Sequence, residues 1–215
     1  MRIRHFLPAA LLAFSVTTLA AAASADVAGA QGFVEREYGQ LKKMVESNAP
    51  SAEVSRMIDG MVDYDELARR TMGAPCPVGV PNCTDHWKDL NDEQRKEVTS
   101  YLRKLVEKNY HKNLNKTRDY DVSYRGAKEQ GDNLAKIRTE AKSKLKPRDP
   151  AVQVDYVILG AGPNYKVIDI VTEGSSMTKN YYDQFHRMLT TPGQGYPYLV
   201  QKLKAKVEKK DKAAK

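Results

Sequence analysis

The chain has 215 residues, 35 of them basic and 27 acidic, giving a formal net charge of +8, and 41% are hydrophobic. That length suffices for one domain with a single core. Beyond the N-terminal leader no stretch approaches the ~18 consecutive apolar residues that a membrane-spanning helix needs.

The chain opens with a leader. Arg2 and Arg4 precede an apolar or small-residue run over 6–22, and Ala23-Ser24-Ala25 is a small-x-small cleavage site. This reads as a secretory signal peptide at 1–25, cleaved after Ala25. With no cysteine at the cleavage position, a lipoprotein is not expected. The mature product is expected to be exported and monomeric, with one domain at 26–208 and a flexible lysine-rich tail at 209–215. Excess positive charge suits anionic membrane surfaces or nucleic acid. Seven lysines within 202–215 carry much of it, however, and export argues against nucleic acid.

Helical periodicity comes next. Val27, Ala30, Val34, Tyr38, Leu41 and Val45 recur at steps of three and four, an amphipathic helix stopped at Asn48-Ala49-Pro50. A second helix is expected from Ser51, as cap, to Gly60, with Val54, Met57 and Ile58 inward. A third runs over 63–72 with Asp63 as cap. Residues 73–84 are a Pro/Gly-rich loop containing Cys76 and Cys83, which are expected to pair in an oxidising compartment. A zinc site would need more ligands than Asp85 and His86 nearby supply. The longest helix is expected over 92–114. Asn91 and Gln94 suit a capping box, and Val98, Tyr101, Leu102, Leu105, Tyr110 and Leu114 form the apolar stripe.

The period then switches to two, over 119–125, 134–141, 151–159 and 165–172, with turn-rich connections that favour antiparallel pairing. Gly160-Ala161-Gly162 lies in a hairpin loop and lacks the third glycine and the following helix of a dinucleotide fingerprint. The last strand runs into Gly174, then Ser175 and Ser176 as cap hydroxyls. Met177, Tyr181, Phe185, Met188 and Leu189 then form a helical stripe. A final helix is expected over 198–207. The fold class is α+β: a four-stranded twisted antiparallel sheet packed against several helices. The space between sheet and helices is either packed core or a pocket.

The run V-I-D-I-V-T-E-G-S-S-M with the later Y-x-x-x-F resembles the hallmark segment of the MlaC family, at Asp169, Glu173, Gly174, Ser176, Met177, Tyr181 or Tyr182, and Phe185. The stretch W-K-D-L-N-D-E-Q-R-K-E-V-x-x-Y-L-x-x-L-V-x-x-x-Y from Trp87 is similar to the same family, and the order of elements agrees from about Phe33 to Val207. Against the family's usual connection, the cysteine loop is an insertion. The resemblance implies a periplasmic phospholipid carrier, of the toluene-tolerance type. Such a carrier shuttles lipid between an outer-membrane lipoprotein–porin complex and an inner-membrane ABC transporter, with phospholipid as cargo and no cofactor. A deep apolar pocket is then expected between sheet and helices. Its strand walls would be Val122, Ile137, Val154, Tyr156, Ile158 and Ile170, and its helix walls Leu102, Leu105, Met177, Tyr181 and Phe185. No cluster of Arg or Lys interrupts those faces, so selectivity is expected to follow the tails more than the headgroup. A scaffold for another apolar molecule, such as a sterol-like lipid, is the second reading, and a filled structural domain the third.

Catalytic signals are sparse. The three histidines beyond the leader lie in different segments, no H-E-x-x-H is present, and G-S-S-M is not a nucleophile elbow. Asp169 and Glu173 either share a strand face and do acid–base work, as in a hydrolase, or hydrogen-bond the turn's backbone and hold the strand–helix junction.

Overall fold

The computed structural model describes residues 26–131 and 133–209, side chains at 114–116 excepted. The leader at 1–25, the tail at 210–215 and the Leu114 side chain lie outside the described residues. Six α-helices and one five-stranded sheet are present among them. None of these helices is long and apolar enough to cross a membrane.

Four of the six helices begin where a side chain satisfies a free amide. In α1 (Val27–Glu46) Asp26 accepts from Gly29 N at 2.9 Å. In α3 (Tyr64–Thr71) Asp63 accepts from Glu66 N at 2.9 Å. Ahead of α4 (Asp92–Leu114) the capping box is closed in both directions. Gln94 N donates to Asn91 Oδ1 at 2.9 Å and Asn91 N to Gln94 Oε1 at 3.0 Å. In α2 (Ser51–Met61) Ser51 is already the first helical residue; Pro50 takes the cap position and supplies no side-chain hydrogen bond. The remaining helices are α5 (Met177–Thr190) and α6 (Tyr196–Glu208).

The sheet is a meander in which every strand pairs antiparallel with its sequence neighbour: β1 (Tyr120–Gly131), β2 (Leu134–Ser143), β3 (Val152–Leu159), β4 (Lys166–Thr172) and β5 (Ser175–Ser176). The expected four strands are thus five. Glu173 (φ 49°) and Gly174 (φ 75°) make a two-residue turn with both central residues left-handed, and the chain doubles back so that Thr172 faces Ser175 and Val171 faces Ser176. The serines expected only as caps are therefore also a short edge strand. β1 runs six residues past its expected end, through register shifts at Tyr124/Gly126 and Glu129/Gly131; its alternation is broken there, which hid it from a strict period-two reading.

Two larger packed cores result, beside a smaller cluster of Val157, Ile168 and Val171 on the sheet. One lies among α3, α4, α5 and α6: Leu67, Met72, Val98, Leu102, Leu105, Phe185, Leu199 and Leu203 are buried together. The other joins α1 to one face of the sheet: Ala30, Phe33 and Val34 pack on Ala135, Ile137, Ile158 and Val167. Cys76 and Cys83 form the expected disulfide at the edge of the helical layer, with Cα atoms 5.6 Å apart. The loop is held to α5 where Thr84 N donates to Tyr182 Oη at 2.8 Å.

Candidate functional site

The hallmark segment is built around Asp169, 1% exposed. Its Oδ1 accepts from Ile170 N and from Thr178 N, each at 2.9 Å, and Ser176 Oγ donates to its Oδ2. Ser176 Oγ also accepts from Lys179 N at 3.1 Å, capping α5. A strand carboxylate thus fixes the start of the next helix. Glu173 works separately: its carboxylate accepts from Gln153 N, and its own amide donates to Gln153 O at 3.0 Å. Both carboxylates are therefore engaged with turn and strand backbone, the second of the two roles weighed from the sequence. The histidines are likewise in structural contacts. His86 Nε2 lies 2.8 Å from His186 Nδ1, and His111 lies against Ser51 and Ser55 between α2 and α4. Among the described residues no three His, Cys, Asp or Glu side chains converge on a metal position.

What this junction positions is a cleft between the two cores. Its outer part, about 600 Å³, is walled by Val106 and Tyr110 of α4, Ile170 of β4 and Met177 and Tyr181 of α5, with Lys206 of α6 at the rim. Val106, Tyr110 and Ile170 also wall an inner cavity of about 190 Å³, completed by Phe33, Val34, Tyr38 and Leu41 of α1, Ile58 and Met61 of α2, Tyr156 and Val167. Tyr38 and Tyr156 in turn border a third space of about 180 Å³ toward Val122, Thr139, Ala141 and Val154. The outer volume falls in the ~300–1,000 Å³ range of small-molecule sites.

The inner cavity is apolar apart from tyrosine hydroxyls. Tyr38 Oη is buried and has no hydrogen-bond partner among the described residues, whereas Tyr110 Oη donates to Ser55 Oγ at 2.7 Å. Burial pushes the Tyr156 phenol far above its ordinary range, with Tyr38 and Tyr124 as lesser causes. Burial, then Glu35 and Tyr38, lifts Tyr124 to about 12. Charge is disfavoured throughout this interior.

Of the residues expected to line a pocket, Val122, Val154, Tyr156, Ile170, Met177 and Tyr181 border these three spaces. Leu102, Leu105 and Phe185 do not; they are sealed in the helical core, because α3 and α6 cover that side of α4 and α5. Ile137 and Ile158 also line none of the three; α1 lies directly on them. The inner-cavity residues not expected from the sequence come mostly from α1 and α2. Their apolar stripes were visible, but nothing local says that those helices lie across the sheet.

The class defined by this fold and cleft is an α+β scaffold that holds an apolar, solvent-open space between its sheet and its helices. The chain belongs to the MlaC family: the model of that family, described as MlaC protein, matches residues 37–205. Among solved structures the fold is similar to that of the phospholipid-binding protein of Ralstonia solanacearum, determined in complex with a phospholipid. The TM-score is 0.65 at 19% identity, over 83% of this chain and 96% of that one. No curated protein matches the sequence.

Proposed function

We propose that this protein is a periplasmic phospholipid carrier and not an enzyme. The observation that carries the reading is a largely apolar outer cleft and an inner apolar cavity that adjoins it at Val106, Tyr110 and Ile170, beside two cores that are each already packed. Membership of the MlaC family and a structural neighbour that binds a phospholipid support it. Val122, Val154, Tyr156, Ile170, Met177 and Tyr181 would contact the acyl chains, with Phe33, Val34, Tyr38 and Leu41 of α1 closing over them.

The energetics suit a shuttle. Each buried methylene contributes about 0.8 kcal/mol relative to water, so two tails hold a lipid securely in solution without headgroup contacts. Against a bilayer, where the tails are already buried, the same transfer is nearly balanced. Loading and release therefore require membrane complexes, which we infer to be an outer-membrane lipoprotein–porin complex and an inner-membrane ABC transporter. The leader at 1–25 would deliver the chain to them, and residues 26–208 would act as a single lipid-binding unit. Lysines of the C-terminal segment, including Lys202, Lys204 and Lys209, would speed encounter with acidic surfaces; that association should weaken as salt rises.

Mass spectrometry of a solvent extract, from protein purified without detergent, tests the reading. The expected result is a stoichiometric diacyl phospholipid. A sterol-like lipid in its place would favour the second reading, and a folded protein with an empty extract that takes up no added phospholipid would refute both.

A further inference from the structure

We propose that Lys206, with the side-chain amides of Gln184 and Asn180 beside it, forms a phosphate subsite at the mouth of the cleft that takes the phosphodiester of the bound lipid. The inference rests on the carrier reading and goes beyond it, because apolar walls alone do not distinguish a phospholipid from an uncharged lipid with the same tails.

The composition of the outer cleft is the first support. The described residues that line it include four side-chain amides, Asn109, Asn113, Asn180 and Gln184, and Lys206 as the single ionisable group among them apart from tyrosines, with no carboxylate. Lys206 is also not matched elsewhere: its Nζ donates to the neutral Gln184 Oε1 at 2.7 Å and sits 5.6 Å from the Tyr181 ring centroid, and no carboxylate pairs with it among the described residues. Neighbouring Lys204, by contrast, has Glu208 within 3.9 Å.

Orientation is the second. Gln184 Nε2 donates to Asn180 O at 2.9 Å, which turns its oxygen toward Lys206, and Asn180 Nδ2 donates to Ser175 Oγ at 2.8 Å. An ammonium carries three donors and each amide two. Donors therefore remain at Lys206, Gln184 and Asn180, and all three residues line the outer cleft. Partial burial lowers the Lys206 pKa, so its charged form lacks solvation that an anion would restore.

The place of this rim is the third. Met177, Tyr181, Val106 and Ile170 lie directly behind it, and the last two continue into the inner cavity. An occupant that satisfies Lys206 and fills the space behind it is an anion attached to hydrocarbon. That describes a phospholipid better than either free phosphate or a sterol. Nothing local in the sequence places α6 beside the cleft, so Lys206 looks there like one of several tail lysines.

The test uses delipidated mature protein, incubated with equal amounts of a phosphatidylglycerol and a diacylglycerol of identical acyl chains, and quantifies the bound lipids by extraction. Wild type should favour the phospholipid about tenfold, the worth of one hydrogen bond to a charged group. Lys206→Met should bring the ratio close to one, Lys206→Arg should keep it, and Lys204→Met should leave it unchanged, which separates this subsite from general charge. A wild-type ratio of one, or a Lys206→Met protein with the wild-type ratio, would overturn the assignment. Binding of neither lipid would defeat the carrier reading and the subsite with it. Inorganic phosphate in millimolar excess should not displace the phospholipid; if it binds and does so, the site takes free phosphate and the headgroup assignment fails.

Discussion

Replacing Asp169 with alanine should destabilise the protein and loosen the cleft together. The carboxylate is buried and accepts from Ile170 N, Thr178 N and Ser176 Oγ. Alanine leaves both amide donors without that acceptor, at about 1–3 kcal/mol each when buried, and the Ser176 hydroxyl loses its partner as well. The expected loss is about 3–5 kcal/mol, a large share of the ~5–15 kcal/mol by which domains of this kind are stable. In urea, at about 2 kcal/mol per molar, the unfolding midpoint should fall by about 1.5–2.5 M. Asparagine is the informative control. Its oxygen can still accept from both amides, and the Ser176 hydroxyl can rotate to accept from its nitrogen, so about 1 kcal/mol should go. Lipid content should follow, since Asp169 anchors the start of α5, which carries Met177 and Tyr181. Equal midpoints for wild type and Asp169→Ala would refute the idea that this carboxylate holds the junction.

Other substitutions separate core from cleft. Ile158→Glu places a carboxylate in a sealed core and should unfold the protein, whereas Ile170→Glu, at the cleft wall, should leave a folded protein with much reduced phospholipid on extraction; the same phenotype for both would contradict the partition. The Cys76→Ser/Cys83→Ser double variant closes no loop and should lose about 2–3 kcal/mol by thermal or urea unfolding, yet retain its lipid, because the bridge lies off the cleft. His86 is held below its ordinary value of 6.5 by burial and by His186, against smaller opposing effects of Asp89 and Asp85. The unfolded chain therefore binds a proton there more readily, and stability should decline as pH drops through 6.5 and level off below the lowered folded value. His86→Gln should flatten that part of the profile, measured as midpoint against pH.

Much of this architecture was readable in the chain. Period-two runs marked four strands, and the α4 capping box and the Asp63 cap were set by residues three apart, so their physics is local. The hallmark segment also showed its own junction, because Asp169, Ser176 and Thr178 are close in sequence. What was not readable is which side of each helix is covered. Leu102, Phe185 and Tyr110 all look alike on an amphipathic stripe. Only the docking of α3 and α6 makes the first two core and leaves Tyr110 at a cavity. β5 went unseen for another reason: two residues show no periodicity, and a turn through Glu173 at φ 49° puts a non-glycine residue where glycine or asparagine is the usual signal.

The neighbour-to-neighbour order of the sheet has a kinetic consequence. A meander closes only short loops, so hairpins from β1 to β4 can zip early, with little entropy lost per step. Helix α1 is different. Its first turn meets the sheet through the hydrogen bond from Tyr165 Oη to Asp26 Oδ2, 139 residues apart in sequence. By this argument α1 docks after the meander, and pulsed hydrogen exchange during refolding should protect β2 and β3 before α1. Since Phe33, Val34, Tyr38 and Leu41 wall the inner cavity, the cavity is completed in that same late step. A hydrocarbon guest then stabilises the latest-formed part of the molecule, and occupancy should slow unfolding by holding α1 in place.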